Sequence, residues 1–132
     1  MSAFFADTFY FLALLNEQDA AHTKAVHVEA TSVPVVTTAW VLTEVGDALC
    51  APENRPVFLN LLDLLHESPD ARVIPPSSEL FERGIGFYRQ RPDKEWSLTD
   101  CISFVVMADE GLTEALTGDH HFEQAGFRAL LK

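Results

Sequence analysis

Four acidic residues interrupt otherwise apolar stretches of the chain. Asp7 closes the run "FFA", Glu44 lies inside "WVLTEVGDAL", Asp100 heads "DCISFVVM" and Asp119 ends "EALTGD". A carboxylate in apolar surroundings is costly unless something binds it. Two unit charges about 4 Å apart repel by roughly 4 kcal/mol at an effective dielectric near 20. Four carboxylates brought to one place would therefore take up protons or bind a cation. Oxygen ligands of this kind select magnesium, manganese or calcium over zinc or copper. Magnesium or manganese held by carboxylates activates a water and steadies a leaving oxygen, which is the chemistry of phosphodiester hydrolysis.

Each acid also fits a purely structural task. Ser97 and Asp100 have the spacing of a capping box, in which the third helical residue reaches back to the cap amide. Asp7 and Asp119 precede helical segments and fit as N-caps. Glu44 fits a solvated stripe shared with Asp47, although it lies too far into its helix to cap it. The functional case is the conjunction of the four.

The elements that must position them follow from periodicity. Short apolar runs alternate with helical patterns, the mark of a βα-layered α/β domain with a parallel sheet. Strands are expected at Ala3–Ala6, Pro34–Thr38, "ARVIPP", "EALTGD" and, at the edge, "FRALL". Helices are expected from Thr8 through "TFYFLALLN", over about Ala20–Ala30, and over Ala39–Cys50. Further helices are expected over Val57–His66, Ser78–Gln90 and Leu98–Glu110. Asp7 and Asp119 then follow strand ends, and the carboxyl edge of a parallel sheet is where ligand crevices form.

With 132 residues, the chain reads as one domain over 1–132. A formal net charge of -11 argues against a general electrostatic grip on nucleic acid. It does not exclude a nucleic-acid enzyme, because bound divalent cations reverse the local charge. Cys50 and Cys101 form no CxxC pair and are expected as free core thiols of a reducing, cytoplasmic protein. The apolar opening lacks a basic leader and a cleavage site, and no run reaches membrane-spanning length.

Taken together, "FFADT…FYFLALLNEQD", "VTTAWVLTEVGDAL", "WSLTDCISFVVM" and "EALTGDHHFEQAGF" resemble the PIN-domain ribonucleases, most of all the VapC-like toxins of bacterial type II toxin–antitoxin pairs. The resemblance implies a single PIN-like domain, with a parallel sheet of four to five strands sandwiched by helices. It also implies a metal-dependent endoribonuclease whose acidic pocket holds one or two Mg2+ or Mn2+ ions. The family's pocket acids map onto Asp7, Glu44, Asp100 and Asp119. Asp7 and Asp100 are then the firmest metal ligands, with Thr8 and Ser97 as supporting hydroxyls. A cognate antitoxin that inserts a basic side chain into the pocket, and a homodimer, are implied as well. One departure is Phe9, which follows Thr8 where the family usually carries serine or asparagine.

Arg83, Arg89, Arg91 and Lys94 gather close to half of the basic residues and read either as a solvated helix face or as an RNA-facing patch. Trp96 beside them reads as core packing. His120 and His121 read as a solvated turn, and His22, His27 and His66 as surface residues. The aromatics Phe4, Phe5, Phe9, Tyr10 and Phe11 read first as core. Two other functional classes compete with the nuclease. Phosphoryl transfer through an aspartyl phosphate needs an acidic pair after strand one and a lysine near the last strand, and both are missing. A non-catalytic PIN-like interaction module, with the acids as caps, is the other alternative.

Overall fold

The computed structural model describes residues 3–132. Five strands, β1 (Phe4–Ala6), β2 (Val35–Thr38), β3 (Ala71–Ile74), β4 (Glu114–Leu116) and β5 (Arg128–Ala129), form one sheet in the order β3-β2-β1-β4-β5. Every pairing is parallel, with Phe5 opposite Val36 on one side and Ala115 on the other. Parallel neighbours cannot be joined by tight hairpins. Helical segments supply the connections: α1 (Thr8–Leu15), α2 (His22–Ala30), α3 (Ala39–Ala48), α4 (Arg55–Glu67), α5 (Ser78–Gln90), α6 (Leu98–Glu110) and α7 (His120–Gln124). The chain builds outward from β1 through β2 to β3, then restarts on the other side with β4 and β5. The switch point falls between β1 and β4, the strands that end near Asp7 and Asp119.

The expected elements are present: α5 and α6 keep their expected bounds, α4 is longer at both ends, and several others are trimmed. β1 starts one residue later than its apolar run and α3 stops at Ala48, two residues short of Cys50. Cys50 therefore lies past the helix and is exposed, which corrects its reading as a core thiol; Cys101 is buried. The helix α7 stands where the sequence suggests only a turn, because five residues are too few to display a period.

α6 is the central helix of the core. Cys101, Ile102, Phe104, Val106 and Met107 are all buried, so the helix has few faces left for solvent. The close packing of α5 on α6 depends on Gly84, where an added Cβ would lie 2.3 Å from Ile102 Cγ1. Phe104 sits among Trp96, Phe122 and Phe127, with ring centroids 5.0–5.7 Å away. Trp96 is buried there, as core packing requires, and its indole Nε1 donates to Gln124 Oε1 at 3.0 Å. Phe5, Tyr10 and Phe11 are buried too, while Phe4 and Phe9 are half-buried. Among the described residues, no helix is long and apolar enough to cross a membrane.

Candidate active site

At the carboxyl edge of the sheet lies an open cleft lined by Asp7, Thr8, Phe9, Leu12, Glu44, Glu95, Ser97, Asp100, Asp119 and His121. All four acids selected from the sequence are present, with Thr8 and Ser97. Each arrives by a local route. Asp7 follows β1, and the Thr37 hydroxyl donates to the Ala6 carbonyl at 2.8 Å, tying that strand end to β2. Glu44 is carried by α3, whose first turn is fixed by Val41 N–H donating to Thr38 Oγ1. Asp100 is placed by the first turn of α6, and Asp119 leads from β4 into α7.

Whether each acid caps a helix or faces the cleft differs from residue to residue. Asp7 occupies the N-cap position of α1, yet its side chain makes no cap hydrogen bond. Its Oδ2 instead accepts from the Thr117 hydroxyl at 2.9 Å. Asp100 completes the expected capping box: its amide donates to Ser97 Oγ at 3.0 Å, and Ser97 N–H donates to Asp100 Oδ2 at 3.1 Å. Asp119 caps α7 by accepting from His121 N–H at 2.9 Å. Glu44 Oε1 accepts from the Thr8 hydroxyl at 2.5 Å. Capping and cleft lining thus coincide at Asp100 and Asp119, while Asp7 belongs to the cleft alone.

The electrostatics are those of a crowded acidic site. Asp7 is only 6% exposed, and its pKa is pushed up to about 7. Burial is the main cause, with Asp100 and Glu44 adding to it, while hydrogen bonds from Thr117 and Thr8 pull the other way. Asp100, 8% exposed, is also raised, again first by burial and then by the neighbouring Asp119. Neither lysine nor arginine lines the cleft. The residues present fit a hard divalent cation, since the donors are mainly carboxylate oxygens and Asp7, the most buried of them, has no basic partner.

Sequence reasoning missed two participants. Thr117 directly follows β4 with its hydroxyl between two acids, donating to Asp7 and accepting from the Asp119 amide at 3.0 Å. The only sequence signal was a hydroxyl two positions ahead of Asp119 at a strand end. His121 is not on a solvated turn: its side chain is 18% exposed against 63% for His120. Its Nδ1 lies 3.1 Å from Asp100 Oδ2 and 3.3 Å from Asp119 Oδ1. The solvated-turn reading fails for His121 because α7 turns its side chain inward, while His120 keeps to the solvent. Asp119, His120 and His121 can also offer ligand atoms within 4.8 Å of one another. His22 is half-buried, its Nδ1 2.8 Å from the Ala13 carbonyl oxygen, whereas His27 and His66 are exposed.

The basic cluster is divided by the fold. Arg83 makes a double hydrogen bond to Asp109 and lines a separate hollow with Phe87, Phe104 and Phe127. Arg89, Arg91 and Lys94 line a groove that includes Glu95 and Ser97, two residues that also line the acid cleft.

The sequence profile of the PIN domain matches residues 4–128 of the chain. The 23S rRNA-specific endonuclease VapC20 of Mycobacterium tuberculosis is 32% identical over 127 residues, which span 93% of this chain and 94% of that one. The crystal structure of the same organism's VapC20, described as a Sarcin-Ricin loop cleaving toxin, superposes with a TM-score of 0.84 at 29% identity, covering 96% of each chain. The fold also matches VapBC2 from Rickettsia felis, bound to a DNA fragment from its promoter (TM-score 0.69, 11% identity, 97% of each chain). FitAcB from Neisseria gonorrhoeae matches at a TM-score of 0.66 and 16% identity, over 99% of this chain and 97% of the other. With its parallel sheet, its acid cleft at the switch point and its whole-length likeness to VapC20, the chain belongs to the PIN-domain family, on the VapC-like branch that its motifs resemble.

Proposed function

We propose that residues 1–132 act as one PIN domain and form a metal-dependent endoribonuclease that hydrolyses RNA phosphodiester bonds at the Asp7–Glu44–Asp100–Asp119 cleft. The observation that carries this reading is Asp7, a buried carboxylate that caps nothing and has no basic partner. Asp7 and Asp100 would hold the first Mg2+ or Mn2+, Glu44 would complete the site, and Asp119 would serve it or a second ion. Such an ion would lower the pKa of a water and neutralise charge on the leaving oxygen. The chain's own residues do the positioning. Thr8 orients Glu44, Thr117 orients Asp7 and ties it to the Asp119 amide, and the capping box fixes Asp100. His121 holds Asp100 and Asp119 in register through its Nδ1.

The relative's 23S rRNA specificity supports a structured ribosomal RNA as the substrate, which entails action in the cytoplasm. An antitoxin that brings a basic side chain to the cleft is the natural neutraliser, because that charge would compete with the cation. The exposed Leu59 and Leu64 on α4 offer apolar surface to a homodimer partner or to that antitoxin. The test is to incubate purified 50S subunits with the protein and Mn2+, and to map breaks in 23S rRNA by primer extension. A discrete stop is expected for the wild type and none for Asp100→Asn. An unbroken 23S rRNA at stoichiometric enzyme would remove ribosomal RNA as the substrate.

A second reading, the non-catalytic interaction module, draws on the cap roles of Asp100 and Asp119. Caps need no cation, so it requires that Mn2+ leave thermal unfolding of the wild type unchanged. The nuclease reading instead requires a gain of about 2.7 kcal/mol near 100 times the dissociation constant, abolished in Asp100→Asn.

A further inference from the structure

In a chain this acidic, the few cations without a partner are informative. Among the described residues, Arg72, Arg83, Arg91, Arg128 and Lys132 are each paired with a carboxylate. Lys24 and Arg55 are tied to backbone carbonyls. The side chains of Arg89 and Lys94 alone make no hydrogen bond or ion pair, and both line the groove between the end of α5 and the start of α6. That groove shares Glu95 and Ser97 with the acid cleft. Its floor is the buried Trp96 indole, with Arg91 Cζ 5.2 Å and Lys94 Nζ 6.0 Å from the ring centroid. Its wall carries Tyr88, an exposed aromatic that the core does not need.

We propose that this groove is the track for the single-stranded RNA segment flanking the scissile phosphate, with Arg89 and Lys94 each holding a backbone phosphate and Tyr88 stacking a base. The inference rests on the nuclease reading for the scissile position and adds the residues that seat the substrate beside it. An extended anionic strand fits better than a folded protein partner. The cations are unpaired and line a groove that shares residues with the cleft, and every base offers a face to an aromatic ring whatever its sequence. Arg91 contributes less, because Asp93 already occupies its guanidinium through two hydrogen bonds of 3.0 Å.

The experiment uses the full chain with Asp100→Asn as background, in EDTA, and a fluorescein-labelled mixed-sequence 20-nucleotide RNA read by anisotropy across a salt series. Each phosphate contact on a single strand contributes about 0.7 to the slope of log affinity against log salt. Arg89→Ala/Lys94→Ala should therefore flatten that slope by about 1.4 and weaken binding at least tenfold at low salt. Tyr88→Ala should weaken binding roughly fivefold with the slope unchanged, since stacking is not ionic. Lys24→Ala/Arg128→Ala, which makes the same change in net charge elsewhere, should leave both nearly intact. An equal slope for the two double variants overturns the track. Displacement of the RNA by poly-L-glutamate of matched charge at the same concentration also overturns it, in favour of an acidic protein partner. In an otherwise wild-type chain with Mn2+, the groove variant should cleave 23S rRNA at the same position with a raised KM and little change in kcat. If the wild type cleaves nothing and shows no Mn2+ response, the nuclease reading fails, whatever the anisotropy shows. If cleavage by the groove variant is indistinguishable from wild type, the nuclease reading stands and the track fails.

Discussion

Asp7 sets the chemistry of the cleft through its burial. Its pKa is held at about 7 in the folded chain, against roughly 3.9 when unfolded. The folded state therefore binds the proton more tightly. This contribution to stability is complete below about pH 4, falls as the unfolded carboxyl ionises, and is gone once pH passes about 7. Metal-free Asp7→Asn should accordingly unfold several degrees above wild type at pH 8, with the gap closing near pH 4.5, as calorimetry at the two pH values would show. The Asn side-chain oxygen can still accept the Thr117 hydrogen bond, so no packing loss obscures the comparison. Cation uptake should be linked to loss of the same proton. The apparent Mn2+ affinity of the wild type should rise up to tenfold per pH unit below pH 7 and level off above it, as isothermal titration at several pH values would record. A flat profile would remove Asp7 from the ligand set.

At the scale of elements, two features of α6 decide how well the site is held. Ser97→Ala removes the hydroxyl that accepts from the Asp100 amide and should cost about 1 kcal/mol of stability. The same change frees the first turn that aims Asp100, so cleavage rate should fall further than the loss in melting temperature alone implies. Ser97→Thr, which keeps the hydroxyl, should restore both. Gly84→Ala acts through packing: its Cβ would overlap Ile102 and push α5 away from α6, at a cost of roughly 1–3 kcal/mol. Thermal unfolding would check that figure, and a melting temperature equal to wild type would mean that the α5–α6 contact is looser than the structure has it. Gly118 plays a related part at the cleft, where an added Cβ would lie 2.5 Å from the Phe9 ring. Phe9, the departure from the family pattern, is thus accommodated by the absence of a side chain at position 118.

Over the whole molecule, the charge of -11 stands against a site that has to approach a polyanion. Carboxylates repel one another across the metal-free chain, so its melting temperature should climb as salt rises from about 10 to 150 mM, where screening reaches roughly 8 Å. Mn2+ should flatten that dependence by neutralising the densest group of acids. A thermal scan over the salt series, with and without Mn2+, reads both effects. Equal slopes in the two series would mean that the cleft contributes little to the repulsion.

The amino-acid sequence by itself determined the order of strands and helices apart from the short α7, because apolar runs and helical periods are local and the longer elements show them. It also determined which acids are anomalous, since the cost of a carboxylate in an apolar run can be read without coordinates. Only the tertiary structure decided that the chain restarts beside β1, which sets Asp7 and Asp119 at one switch point. It also separated Asp7, which caps nothing, from Asp100 and Asp119, which cap and line the cleft together. Thr117 and His121 joined the site for the same reason that Arg83 left the basic group. Whether a hydroxyl, an imidazole or a guanidinium reaches a distant residue depends on how elements pack, and side-chain reach across elements leaves no periodic trace in the sequence.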